Sequence, residues 1–202
     1  MRNETRSIDP YPEIVRYLDS LNKNREKILE RCKKIEKLNY EIELTWSSTP
    51  RDLSYDIIHQ LYRGMITCYA VNQYYPSLDS CRKTIEYLIR FELSLHPDER
   101  LKDAKGSIDK TGWVDDVKRE AKGIYEFTNK SVHYQKYEIW RSSPQSKITI
   151  QHTPGLSEEQ KIEIEEWLGA VKNVEKKTLE IMNRTITLSN RITSHLLSKP
   201  KH

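Results

Sequence analysis

The first 63 residues of the chain contain no glycine, and this stretch limits the fold more than any other feature of the sequence. Gly64 is the first of only 6 glycines among 202 residues. Strong helix formers fill most of the glycine-free stretch, and they lack the backbone freedom that glycine brings to turns. The sequence therefore predicts an all-α protein, an antiparallel helical bundle with long N- and C-terminal helices.

Prolines divide the chain into segments with helical periodicity. Proline fits the first turn of a helix and the positions just past its end, but it breaks a helix interior. Thr49 and Pro50, for example, supply an N-cap and a first helical residue. The predicted helices span about 12–44, 50–72, 76–95, 114–133 and 158–197. A charged segment with two glycines, 98–113, is predicted to be a loop, and 137–150 to be a small β-hairpin.

The two terminal helices are predicted to be long and amphipathic. Their apolar residues recur at three- and four-residue spacing, which is typical of a helix that buries one face. We expect these helices to lie against each other or against a second copy of the chain, within one domain spanning 1–202 whose core covers about 50–133. The stripes are Ile14, Leu18, Leu21, Ile28, Cys32, Ile35 and Ile42, then Trp167, Val171, Val174, Thr178, Ile181, Thr185, Leu188, Ile192 and His195.

The overall composition favours a cytoplasmic protein. Charged residues make up 32% of the chain, and 34 basic residues face 30 acidic ones, a balance that permits an anionic partner without requiring one. Three widely spaced cysteines without a CxxC pair predict buried thiols in a reducing compartment. The polar N-terminus predicts no signal peptide, and no apolar run approaches the roughly 18 residues of a membrane span.

Asn129 and His133 are the first candidate site residues. They are one helical turn apart at the predicted end of the fourth helix, so they share a face and could act on one substrate. Histidine changes charge near neutral pH and can give or take a proton. The competing interpretation is structural, because a histidine in the last turn of a helix can cap free carbonyls and interact favourably with the helix dipole.

Arg82 and Glu86 are predicted to form a polar pair on the apolar flank of the third helix. They are spaced i,i+4, which places their side chains side by side. The sequence leaves two alternatives open. In the first, the pair is buried, and because buried charge is costly the two side chains bond each other or a polar group across the bundle. In the second, the pair is a salt bridge at the solvent edge.

Three segments carry a resemblance to the HEPN superfamily of helical bundles. The segments 69–78 and 81–88 resemble its helical hairpin, in which a short turn leads into a helix bearing an arginine and a glutamate. The segment 124–133 is similar to the helix that ends in the family motif, an arginine followed after four to six residues by a histidine. Asn129 and His133 match the polar residue and the histidine of that motif, whereas Thr128 occupies the place of the arginine.

Many members of this superfamily cleave RNA, and the resemblance implies a role for each candidate residue. His133 would be the general acid and base in a metal-independent attack by the 2′-hydroxyl, Asn129 would orient the histidine or the phosphate, and Arg82 would help electrostatically. The resemblance also implies a homodimer in which two motifs form one cleft. Thr128 leaves the phosphate without the cation that normally stabilises its developing charge.

The segment that follows alternates aromatic rings with positive charge, a combination that binds single-stranded nucleic acid by stacking and backbone neutralisation. The alternative is that the rings pack onto the bundle while the charges stay solvated. The candidate RNA-binding residues are Lys130, Tyr134, Lys136, Tyr137, Trp140 and Arg141.

Other chemistries have little support in the sequence. The histidines form no HxH or HExxH pattern, and the glycines form no phosphate-binding loop, so we expect neither a metal nor a cofactor. The leading hypothesis is an RNA-associated HEPN-like protein of prokaryotic antiviral defence or toxin type, and if it is an enzyme, a metal-independent ribonuclease. The alternative is a non-enzymatic helical interaction module or a subunit of a larger defence assembly.

Overall fold

The computed structural model describes residues 11–47, 53–96, 99–142, 150, 153 and 155–198. Side chains are described for 15–36, 57–96, 99–136, 150, 153, 155–169 and 171–194. The described residues are helical with no strand, so the all-α prediction is confirmed. The helices are α1 (Tyr11–Lys23), α2 (Arg25–Ser47), α3 (Leu53–Ala70), α4 (Tyr74–Glu92), α5 (Ala104–Lys110), α6 (Asp115–Ser142), α7 (Glu158–Ala170) and α8 (Val174–Ser198). The predicted helix start at Thr49 and Pro50 lies outside the described residues.

Each predicted terminal helix consists of two helices. The 12–44 helix is interrupted at Asn24, whose N–H bonds the carbonyls of both Ser20 and Leu21, while its own carbonyl accepts from Ile28. The 158–197 helix is interrupted at 171–173, where the Asn173 side chain accepts a hydrogen bond from the Lys176 N–H at 3.0 Å. Asparagine caps helix starts well, and this local bond favours a new helix over continuation of the old one.

The charged segment predicted to be a loop contains the short helix α5. Asp103 caps its start by accepting from the Gly106 N–H at 2.9 Å. A Cβ at Gly106 would collide with that carboxylate, so glycine here permits the cap. Ala104 and Ile108 are buried against the main core, which explains why so polar a segment is ordered.

The predicted β-hairpin at 137–150 is wrong in its first half. Residues 137–142 continue α6 as helix, and residues 143–149 lie outside the described set. Over so few residues, an alternating pattern is compatible with a strand or with one and a half turns of helix. Residues 137–142 follow directly on a formed helix, and extending that helix requires no new nucleation. His133 is therefore inside α6 and not at its end.

The helix α4 occupies the centre of the bundle and packs against α3, α6 and α8. The connection from α3 is a Schellman motif, with Asn72 in the left-handed conformation at φ 68° and a bond from the Gln73 N–H to the Cys68 carbonyl. This short turn holds α3 and α4 together as a helical hairpin. The largest fully buried side chains are Tyr62, Met65, Tyr69, Leu78, Ile85, Leu88, Ile89, Ile108, Ile124, Ile164, Ile181 and Met182.

Buried hydroxyls line the inner face of α8. Thr185 donates to the Ile181 carbonyl and Ser189 to the Thr185 carbonyl, each at 2.8 Å. Because these donors are satisfied within their own helix, small polar side chains enter the core at little cost. This explains how Thr185 faces inward within the stripe predicted for the last helix. Thr178 of the same stripe is also buried, but its hydroxyl has no hydrogen-bond partner among the described residues.

A charged junction joins α2 to α8. Glu175 accepts hydrogen bonds from Lys34 at 3.0 Å and from Tyr74 at 2.9 Å, and Arg31 lies 3.7 Å away. Burial acts to raise the pKa of the Glu175 carboxyl, but the bonds from Lys34 and Tyr74 outweigh it and lower that pKa. The two terminal segments thus meet at this end of the bundle.

The cysteines differ in their surroundings. Cys81 is buried, and burial raises the pKa of its thiol to about 12, so the thiol stays protonated. Cys68 is half-buried, but Cys32 is exposed on α2, so the prediction that all three are buried is wrong for Cys32.

Among the described helices, none is long and apolar enough to cross a bilayer.

We expect Ile85→Ala to destabilise the bundle by about 2–5 kcal/mol, because it removes a fully buried side chain where α4 cannot collapse around the cavity. Urea unfolding followed by circular dichroism measures the change. The matched control is Ile162→Ala, since Ile162 is exposed on α7 and its loss should cost less than about 0.5 kcal/mol. Equal losses for both variants would contradict a core centred on α4.

Candidate functional site

The outer face of α6 carries Asn129, His133 and Lys136. These residues follow one another at i, i+4 and i+7, which places them on one side of the helix. Asn129 is half-buried, whereas His133 and Lys136 are exposed. The opposite side of α6 is anchored in the core by Val117, Ala121 and Ile124. Burial of that inner side fixes which residues face outward.

His133 is accessible to solvent and lies nine residues before the end of α6. A residue in a helix interior cannot cap the free carbonyls of the last turn, so the structural interpretation predicted for His133 is wrong. The side chains of His133 and Asn129 make no hydrogen bond or ion pair with any described residue. The His133 side chain is therefore exposed to solvent and unpaired within the part of the chain that the structure describes.

Thr128, at the place of the motif arginine, is fully buried. Its hydroxyl donates to the Ile124 carbonyl at 2.8 Å. Five residues separate it from His133, which turns the two side chains about 140° apart around the helix axis. An arginine at this position would enter the core, so no cation at position 128 could face a ligand held by His133.

Arg82 belongs to a charge network on α4. Its guanidinium donates to Asp79 at 2.9 and 3.1 Å and to Glu86 at 3.0 Å. Arg90 lies 3.7 Å from the same Glu86 carboxylate. The arginine and glutamate side chains are partly buried, so the predicted pair is satisfied within its own helix at the edge of the bundle.

Within the described residues, Arg82 forms no hydrogen bond or ion pair with His133 or Asn129. Its guanidinium is instead bonded to Asp79 and Glu86 on α4.

Two predicted RNA-binding residues are engaged by α7. Lys130 lies 2.8 Å from one oxygen of Glu163 and 3.5 Å from Glu126, and Tyr134 donates to the other Glu163 oxygen at 2.7 Å. The Lys130 and Tyr134 bonds lower the pKa of the Glu163 carboxyl, and the Glu163 bond raises the pKa of Lys130. A cation held by two carboxylates attracts phosphate weakly.

The docking of α7 explains this arrangement. Trp167 is buried, donates from its indole N–H to the Ser131 hydroxyl at 3.3 Å, and meets Tyr134 edge to face with ring centroids 6.1 Å apart. The groove left between α6 and α7 has a volume of about 250 Å³. Its charged lining consists of three carboxylates and one cation, Glu126, Glu163, Glu166 and Lys130. An acidic groove of this kind disfavours a polyanion.

The remaining predicted RNA-binding residues are Tyr137, Trp140 and Arg141. All three are on the last turns of α6, so the stretch is helical rather than extended. Their side chains lie outside the described set. Within the part of the chain that the structure describes, no group of three or more metal-binding side chains comes together.

The apolar stripe predicted on α1 and the start of α2 is only partly covered: Ile35 is buried, Leu21 and Ile28 are half-buried, and Leu18 and Cys32 are exposed. Leu18 is at 56% of full exposure, and two further exposed apolar side chains lie beside the stripe, Val15 at 38% and Leu29 at 51%. Spacing alone predicts which residues share a face, but it does not predict whether that face is covered.

No family model, no curated protein and no solved structure matches this chain. We therefore infer its function from the arrangement of its own residues.

We expect Glu163→Gln to destabilise the protein by less than about 1 kcal/mol at neutral pH, since both partners are partly exposed. The folded pKa of Glu163 is lowered. Its contribution is therefore complete above the unfolded value of about 4.3 and disappears as pH falls through the folded pKa. Urea unfolding between pH 7 and pH 3 measures this.

The control is Glu166→Gln, an exposed carboxylate of the same helix that has no ion pair with a described residue. Its difference from wild type should be small, because this carboxylate has no ion pair with a described residue to lose. A Glu163→Gln difference that persists unchanged at pH 3 would show that the Lys130 and Tyr134 contacts do not hold this carboxylate in its ionised form.

Proposed function

We propose that this protein is a non-enzymatic helical interaction module that binds another protein chain through its N-terminal helices. The observation that carries the proposal is the exposed apolar stripe on α1 and the first half of α2. We name this segment, residues 15–36, the arm. A subunit of a larger assembly would use the same surface.

The solvent exposure of the arm supports a partner. Every described residue from 15 to 27 is exposed except Leu21, which is half-buried. Isolated helices as short as the 13 residues of α1 are marginal in water, and most helical stability comes from packing an apolar face. Exposed apolar side chains that share a helix face favour a binding surface over solvent.

The electrostatics of the α6 and α7 region also favour a module without catalytic activity. Catalysis on a phosphodiester needs a cation directed at the phosphate. Arg82 is bonded to two carboxylates on its own helix, Lys130 to Glu126 and Glu163, and Thr128 is buried. Arg82 and Lys130 therefore serve the fold.

We expect a photo-crosslinking amino acid at Leu18 to capture a partner protein in the cells that express this chain, because Leu18 is on the exposed stripe. The same probe at Ser20, exposed but about 160° around the helix, is the control. Mass spectrometry identifies what is captured.

A Leu29→Glu substitution should remove the Leu18 adduct, since both residues belong to one stripe and a buried carboxylate is costly. Adducts of equal yield at Leu18 and Ser20, or none at either site, would contradict the proposed interaction surface. An adduct that survives Leu29→Glu would place the contact elsewhere on the arm.

A second candidate function is RNA binding or cleavage, in the manner of the HEPN-like proteins of prokaryotic defence that segments of the chain resemble. The observation that favours it is the face formed by Asn129, His133 and Lys136, where an exposed imidazole lies one turn from an amide and near a lysine on the same face. In this function His133 transfers the proton of the attacking 2′-hydroxyl, and Asn129 orients the phosphate.

If this second function operates, the purified protein cleaves labelled single-stranded RNA in EDTA, and His133→Ala abolishes cleavage. His96→Ala is the matched control, because His96 is exposed on the segment after α4, away from this face. Intact RNA with the folded wild type, or equal activity in wild type and His133→Ala, would exclude His133 as a proton-transfer residue.

A further inference from the structure

We propose that the arm binds the arm of a second copy of this chain in an antiparallel two-helix pair. The inference specifies the partner of the proposed interaction module and rests on that function. Six residues at alternating three- and four-residue steps form the contact line, which we call the seam. They are Val15, Leu18, Asn22, Arg25, Leu29 and Cys32, and all six are exposed.

The seam lies along α1 and the start of α2, which meet at Asn24. There the Asn24 N–H bonds the Ser20 carbonyl at 3.1 Å and the Asn24 carbonyl accepts from the Ile28 N–H at 3.0 Å. These are four-residue bonds of an α-helix, so helical bonding reaches Asn24 from both sides. Alternating steps of three and four residues are the spacing of a coiled-coil contact line.

The seam is separate from the side of α2 that contacts the bundle. Ile28 and Ile35 pack on the main core, and Arg31 bonds the Asn72 side chain at 3.2 Å. These bundle-facing residues are about 115° around the helix from the centre of the seam. A second helix can therefore lie along the seam without displacing any of these contacts.

An antiparallel pairing matches the seam to itself. With the twofold axis between Lys23 and Asn24, Leu18 faces Leu29 of the second copy, and Val15 faces Cys32 of the second copy. At the centre, Asn22 faces Arg25 of the second copy, so that an amide oxygen accepts from a guanidinium. Apolar groups meet apolar groups and polar groups meet polar groups at every position, as an isologous contact requires.

Other alignments lack this match. A parallel pair in register places Arg25 against Arg25, two like charges in one layer. An antiparallel pair shifted by one heptad places Leu18 against Asn22 or against Glu36, and Arg25 against Val15 or Leu29. Each shift buries a polar group against an apolar one, which costs free energy. The residues of the seam therefore specify one orientation and one register.

The size of the contact predicts a reversible dimer. The overlap from Val15 to Cys32 is 18 residues, or about 27 Å of helix. Two helices of this length offer less than the roughly 1,200–2,000 Å² of a stable interface. We expect self-association that depends on concentration, and Leu18→Glu should weaken it by at least about tenfold, since it places a carboxylate against Leu29.

A disulfide test reports the orientation directly, because the native Cys32 is exposed. In a Val15→Cys variant, mild oxidation should join the introduced thiol to Cys32 of the second copy, and peptide mass spectrometry identifies the bridge. Ser20→Cys is the matched control, since Ser20 is exposed on the other side of the helix and should not bridge to Cys32. Sedimentation velocity over a concentration series measures the dimer in parallel.

The outcomes separate this inference from the function on which it rests. Bridges between positions 15 and 32, together with a dimer weakened by Leu18→Glu, are the expected result. A chain that stays monomeric up to high micromolar concentration, or bridges that join 15 to 15 and 32 to 32, would overturn the antiparallel pair. Capture of a different protein at Leu18 by a monomeric chain would overturn the second copy as partner and leave the interaction module standing.

Discussion

Burial of α4 on three sides is the constraint on which the rest of the structure depends. Its apolar residues Leu78, Cys81, Ile85, Leu88 and Ile89 are fully buried or nearly so, between α3, α6 and α8. Because α6 must present its own apolar side to α4, the opposite side of α6 necessarily faces outward. The exposure of His133 and the burial of Thr128 are both consequences of this one packing requirement.

The docking of α7 then decides which charges of that outward side remain available. Trp167 seals a second, smaller core with Ile164, Leu168 and Val171, and this contact brings Glu163 within reach of Lys130 and Tyr134. A hydrophobic contact thereby neutralises a cation that would otherwise attract phosphate. The same physical logic holds on α4, where two carboxylates surround Arg82.

The sequence predicted most helices, although it misjudged several boundaries and the covering of one apolar face. Periodicity was sufficient for α3, α4 and the inner face of α8, where Ile181, Leu188 and Ile192 are buried as predicted. It failed at 171–173, because the Asn173 side chain caps the start of a new helix, and at the end of α6, because an existing helix extends without new nucleation. It also failed at Asn24, whose side chain donates to the Ser20 carbonyl. It also treated Cys32 as buried, since spacing does not distinguish a covered face from an exposed one.

The candidate site also combines properties that the sequence predicted with properties that it did not. The sequence by itself determined the helical class, the shared face of Asn129 and His133, and the pairing of Arg82 with Glu86, because each depends on residues close together in the chain. Only the tertiary structure decided that Lys130 and Tyr134 are bound by Glu163, that His133 is exposed, and that most of the arm is exposed. These properties depend on which surfaces meet, and that is set by competition among apolar faces across the whole bundle rather than by local spacing.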